Sequence, residues 1–165
     1  MNYWNAKDFE NNKLYWKDRS PAENIKTREQ NLTLINNLLL ENEIFFFLEG
    51  RTLKSIFENQ QFDLNDHDDD IGIFYTDKEK IYNLVDSFKQ LGFEIIRSNE
   101  LMISFIREFR YIDICLFKKK YFKVGYGKKM FPFKYYKNFD QIKFLNINFN
   151  IPILTKDLLD LRYGR

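Results

Sequence analysis

The chain has 165 residues and carries 26 Lys and Arg against 24 Asp and Glu, for a net charge of +2. That length suits one domain with a sizeable core, and a charge so close to zero argues against a dedicated nucleic-acid binder. One cysteine, Cys115, excludes an intramolecular disulfide, and neither a signal-peptide core nor the roughly 20 apolar residues of a membrane span can be found, so a cytoplasmic protein is expected.

Residues 1–21 read as an N-terminal extension that packs Trp4, Phe9, Tyr15 and Trp16 onto a single domain spanning 22–165. Ser20, Pro21 and Glu23 have the order of an N-cap, a first-turn proline and a capping-box acid. Ile25, Leu32, Ile35, Leu38 and Leu39 then recur at helical spacing, which predicts a helix to about Asn42. Ile44 to Leu48 is too short for a helix and too apolar for an exposed strand, so a strand buried on both faces is expected. Glu49-Gly50-Arg51-Thr52 reads as a turn. Gly50 would let the backbone approach a ligand, and Leu53, Ile56 and Phe57 mark a helix whose free N–H groups could hold a phosphate.

The next stretch, Asn65-Asp66-His67-Asp68-Asp69-Asp70-Ile71-Gly72-Ile73-Phe74-Tyr75, runs acidic and amide groups into a β-prone segment. On a strand, Asp66, Asp68 and Asp70 share one face, while Asp69 and His67 face the other way, which gives His67 a structural role. Carboxylates so close repel one another unless a cation or a proton intervenes, and hard oxygen donors of this kind suit Mg²⁺ or Mn²⁺. A solvated turn is the bland alternative. A calcium loop is another, since Asp66, Asp68, Asp70 and Asp77 fall at positions 1, 3, 5 and 12, but its position 6 needs Gly and here is Ile71.

One helix is predicted from Lys78 to Leu91, stopped by Gly92, followed by strands at Phe93–Ile96, Leu101–Ile106 and Tyr111–Phe117. Asp113 stands between Ile112 and Ile114, where an acid is costly unless it is paired or bound to a metal. It could serve Arg97 or Arg110, or complete a three-carboxylate site with Asp68 and Asp70. Cys115 reads as a buried small apolar residue. Charge is uneven: residues 118–143 hold nine lysines and one acid, Asp140. Some of these, with Lys128, Lys129 and Lys134 foremost, could form an anion-binding wall facing the carboxylates, or simply a solvated face. Their interleaving with Tyr121, Phe122, Tyr126, Phe131 and Phe133 also allows a nucleic-acid or partner-binding module.

An apolar strand, a Gly turn, Asp-x-Asp on the next strand and a third Asp on a later one resemble the nucleotidyltransferase superfamily. More closely, Phe47 to Leu53, Asp66 to Ile73, Tyr111 to Ile114, and Ile151-Pro152 with Leu158 to Gly164 resemble the LicD family. That family includes phosphocholine transferases of bacterial surface glycans and fukutin-related phosphotransferases. The resemblance implies an α/β (α+β) fold with a mixed sheet flanked by helices. It further implies metal ligands at Asp68, Asp70 and Asp113, assisted by Asp66, with Asp113 as metal ligand or base, and Gly50, Arg51 and Thr52 on the phosphate side. The implied reaction is Mg²⁺- or Mn²⁺-dependent transfer of phosphocholine or a polyol phosphate from a CDP-linked donor to a glycan or lipid-linked glycan, in capsule or lipopolysaccharide synthesis. Transfer of NMP from a nucleoside triphosphate to a small molecule or protein is the alternative within the same fold. No DNA partner is expected.

Overall fold

The structure, a computed structural model, describes residues 20–164. Helix α1, Pro21–Glu41, opens on the predicted capping box: the Glu23 N–H donates to Ser20 Oγ at 3.3 Å and the Ser20 N–H donates to Glu23 Oε2 at 2.9 Å. The part of the expected extension that precedes Ser20 lies outside the described residues. Strand β1, Phe46–Leu48, leads into helix α2, Gly50–Asn59, and then into strand β2, Asp68–Phe74. The predicted 78–91 helix is two short helices, α3 at Lys78–Asn83 and α4 at Val85–Gln90, because Leu84 leaves helical backbone at φ −93° and ψ 3°.

Strands β3 (Glu94–Ser98), β4 (Met102–Arg107) and β5 (Arg110–Lys120) follow as expected. Beyond them lie four strands that the sequence did not announce: β6 (Lys123–Tyr126), β7 (Lys129–Pro132), β8 (Phe139–Phe144) and β9 (Ile147–Pro152). Helix α5, Thr155–Tyr163, ends at Gly164. The main sheet runs β1-β2-β5-β4-β3, with β6 and β7 continuing from β5, and β8 and β9 form a separate ribbon. Among the described residues only β2 and β5 pair in parallel, so the sheet is mixed.

Strand alternation divides the chemistry between the two faces. Ile71, Ile73, Ile112 and Ile114 join the large core with Leu32, Ile35 and Leu39 of α1 and Leu53 and Ile56 of α2. The opposite face carries Phe47, Cys115 and Phe117, which pack with Val124, Tyr126, Tyr135, Tyr136 and Leu158. A Cβ on Gly72 would collide with the Phe47 ring, so the missing side chain is what lets Phe47 fill this second core. Strand β1 is buried although it is an edge, because β9 lies along it and Asn150 Nδ2 donates to the Phe46 carbonyl at 2.8 Å.

Candidate active site

The register of β2 on β5 decides the site. Asp70 lies opposite Asp113 and Asp68 opposite Tyr111, so the second carboxylate of the Asp-x-Asp pair and the later one are direct neighbours on parallel strands. One carboxylate oxygen from each of Asp68, Asp70 and Asp113 lies within 4.8 Å of the others. Burial pushes the Asp70 carboxyl well above the usual carboxylate range, and the charges of Asp68, Asp113 and Glu49 add to the effect. Burial likewise raises Asp113, and Arg97 opposes that rise. Arg97 Nη2 donates to Asp113 Oδ2 at 2.6 Å while its Nε donates to Ser104 Oγ at 2.9 Å. Asp113 is therefore both the partner of Arg97 and a member of the carboxylate cluster.

Alternation sends Asp69 through the sheet into the helical layer. Arg28 of α1 meets it there with Nε at 3.0 Å and Nη2 at 2.6 Å, and both side chains are 1% exposed. Such a pair survives burial only because each charge is hydrogen-bonded in full; Arg28 also donates to the Asp63 carbonyl at 2.7 Å. Sequence reasoning missed Arg28. Its signal was a charge on the stripe of Leu32, Ile35 and Leu39, four residues before Leu32.

Asp66 departs from the expected shared face. It sits in the turn before β2, where its N–H donates to the Asp63 carbonyl at 3.1 Å. Its side chain nonetheless stays near the cluster: burial and then Asp68 push its carboxyl up to about 7, and Arg51 Nη1 lies 3.8 Å from its Oδ1. His67 does not face away as alternation predicted, because it too precedes the strand. Its Nε2 lies 3.9 Å from Asp68 Oδ2, within a second possible metal-binding group of Asp66, His67 and Asp68.

The turn before α2 cradles Asp70. Gly50 has φ +59°, a left-handed backbone that favours glycine, and a Cβ there would overlap Asp70 Oδ2. The Glu49 N–H donates to the Asp70 carbonyl at 3.1 Å, fixing the turn on the strand. Thr52 is fully buried rather than open to a phosphate: its Oγ1 accepts the Asp70 N–H at 2.8 Å and faces Asp69 Oδ1 at 3.4 Å. Arg51 is exposed at the rim, between Asp66 and a cavity of ≈ 460 Å³ whose lining includes Lys54, Asn59, Gln61 and Tyr163.

A second residue that sequence reasoning missed is Arg162 in α5. Its Nη2 donates to Glu49 Oε1, and its guanidinium lies 4.2 Å from the centre of the Phe131 ring. Glu49 is fully buried, so the last helix clamps the residue next to Gly50. The charge of Lys129 in β7 acts on Asp70, and its Nζ donates to Tyr126 Oη at 3.2 Å. Lys128 is an exposed turn residue, and Lys134 lies over the Tyr135 ring at 4.8 Å. Tyr126, one of the aromatics interleaved with the lysines, is buried together with Cys115, whose Sγ lies 3.8 Å from Asp70 Oδ1.

Hard oxygen donors converging from two strands, at a cost in burial and mutual repulsion, fit a divalent cation. The strand conformation of Asp68–Phe74 leaves no calcium-loop turn, and the burial of Asp66 and Asp69 excludes a freely solvated one. Among the described residues no helix is long and apolar enough to cross a membrane.

No family profile matches the chain, and no curated protein sequence matches it. Among solved structures it is similar to the lincosamide antibiotic adenylyltransferase LnuA in its lincomycin-bound crystal structure. The TM-score is 0.54 at 16% identity, over 82% of this chain and 85% of that one. The likeness is one of fold: a nucleotidyltransferase-like mixed sheet flanked by helices, shared with a transferase. The closer resemblance to the LicD family receives no support from these comparisons.

Proposed function

We propose that the protein is a metal-dependent nucleotidyltransferase that moves NMP from a nucleoside triphosphate to a hydroxyl group of a small molecule. The observation that carries this reading is the convergence of Asp68, Asp70 and Asp113 from two parallel strands within 4.8 Å. The fold likeness to an adenylyltransferase supports nucleotidyl transfer over the phosphocholine or polyol-phosphate transfer to a glycan that the LicD resemblance implied, and that neighbour's lincosamide substrate supports a small-molecule acceptor.

Asp68, Asp70 and Asp113 would hold Mg²⁺ or Mn²⁺, which when bound neutralises the triphosphate and polarises the bond to be broken. The chain's own groups supply the rest. Arg51, 57% exposed beside Asp66, offers a forked guanidinium to phosphate oxygens, and Lys129 adds a positive charge that acts on Asp70. The acceptor oxygen attacks the α-phosphorus, the bond to the β-phosphate oxygen breaks, and pyrophosphate leaves with that electron pair. The hydroxyl proton passes to Asp113, whose carboxylate Arg97 holds in place through Oδ2.

Product analysis tests the proposal. The protein is incubated with Mg²⁺ and either ATP or CTP, or with CDP-choline, CDP-ribitol or CDP-glycerol, in the presence of a panel of hydroxylated small molecules and a glycan extract. Acceptor-dependent pyrophosphate release that Asp70→Asn abolishes is the expected result. CMP from a CDP-linked compound, with no pyrophosphate from either triphosphate, would overturn it in favour of phospho-substituent transfer.

A further inference from the structure

Strands β5 and β6 form a hairpin whose loop is two residues, Tyr121 and Phe122, with Lys120 and Lys123 paired directly across it. Every residue from Lys118 to Lys123 is exposed; Tyr121 is 83% exposed and Phe122 88%. Two of the four lysines have internal company. Lys118 contacts Glu100 at 2.9 Å, and Lys119 lies over the Phe133 ring at 4.2 Å. Lys120 and Lys123 have no carboxylate partner among the described residues.

Each feature opposes the stability of the isolated chain. Like charges directly opposite on a strand pair repel, and two adjacent aromatics in a loop leave apolar area in water. Both are relieved by a partner that presents anionic groups above an apolar layer. A lipid bilayer with acidic headgroups has that structure: lysines collect at its negative surface and Tyr-type rings settle at the headgroup boundary. A polynucleotide fits less well, since tracking a strand takes a groove, and a two-residue turn is convex.

We propose that this hairpin tip docks the protein on an anionic membrane surface, with Tyr121 and Phe122 entering the headgroup boundary and Lys120 and Lys123 meeting lipid phosphates. The inference is independent of the catalytic reading. Co-sedimentation of the full chain with vesicles tests it, using phosphatidylcholine alone and phosphatidylcholine mixed with phosphatidylglycerol. Binding to the mixed vesicles, weakened by salt and absent on phosphatidylcholine, is the expected result. Lys120→Gln with Lys123→Gln loses about fivefold per lysine. Tyr121→Ser with Phe122→Ser loses at least about tenfold. All four positions are exposed, so circular dichroism should show both variants folded. Equal partition onto both vesicle types, no binding, wild-type binding by the variants, or preference for a single-stranded oligonucleotide would each overturn it.

Discussion

Gly50→Ala perturbs the site through one methyl group. At φ +59° an alanine carries left-handed strain of about 1–2 kcal/mol. In a domain of this size each kcal/mol lowers Tm by about 2–4 °C. Unfolding should therefore come some 2–8 °C earlier, by about the product of those two ranges. The larger effect is local. The new Cβ overlaps Asp70 Oδ2 and would stand 3.1 Å from Cγ, so the carboxylate must recede by about 1 Å to reach ordinary contact. A displacement of that size costs roughly 10²-fold in rate at a positioned site. Gly92→Ala is the control: Gly92 is also left-handed, at φ +86°, but a Cβ there meets Arg107 Nε at an ordinary 3.5 Å. Thermal melts and Mn²⁺ titration by electron paramagnetic resonance separate the two effects. Both variants should melt earlier, and only Gly50→Ala should lose Mn²⁺ affinity, by about tenfold or more. Wild-type Mn²⁺ affinity in Gly50→Ala would refute the cradle.

Stability should fall as pH rises in the metal-free protein: Asp66 has a folded value of about 7 against 3.8 unfolded, so the folded state binds the extra proton between them. That group favours the folded state at the acidic end of this window, with Asp70 and Asp113 acting in the same direction. Melting temperatures should therefore drop from about pH 4 to pH 7, and Mg²⁺ should restore them at the alkaline end, where the carboxylates are ionised. Arg28→Ala strands the buried Asp69 charge and should cost about 3–5 kcal/mol in urea unfolding. Arg51→Ala removes a mostly exposed side chain, so Tm should stay within about 2 °C while the KM for the triphosphate rises severalfold. Lys129→Ala should raise that KM as well, whereas Lys128→Ala should leave the kinetics unchanged.

What could be read from the chain alone was what local patterns fix. The capping box is a matter of three residues, and the apolar stripe of α1 follows from helical spacing. The parting of Asp69 from Asp68 and Asp70 follows from the two-residue period of a strand. Pairing over long distances left weaker traces. Arg162 meets Glu49 across 113 positions, and nothing near either residue announces the contact. Strands β6 and β7 are only four residues each and lack clean alternation, with Val124, Gly125 and Tyr126 buried in a row. The β8–β9 ribbon turns on Leu145 and Asn146 with φ of 53° and 60°, and a turn of that kind is announced by Asn-Gly or Asp-Gly rather than by Leu-Asn. The break at Leu84 came without Gly or Pro, so helical spacing ran through it undisturbed. His67 and Asp66 were misplaced for one reason: the strand begins at Asp68, two residues later than the acidic run suggests.

The most direct measurement is Mn²⁺ binding to the wild-type chain and to Asp70→Asn and Asp113→Asn, read alongside their melting temperatures without metal. Removing the Asp70 charge relieves its repulsion with Asp68, Asp113 and Glu49, so Asp70→Asn should melt no lower than wild type while losing Mn²⁺ affinity by about tenfold or more. Asp113→Asn should lose affinity similarly while remaining folded. Wild-type Mn²⁺ affinity in either variant would contradict the three-carboxylate site and the nucleotidyl-transfer reading built on it.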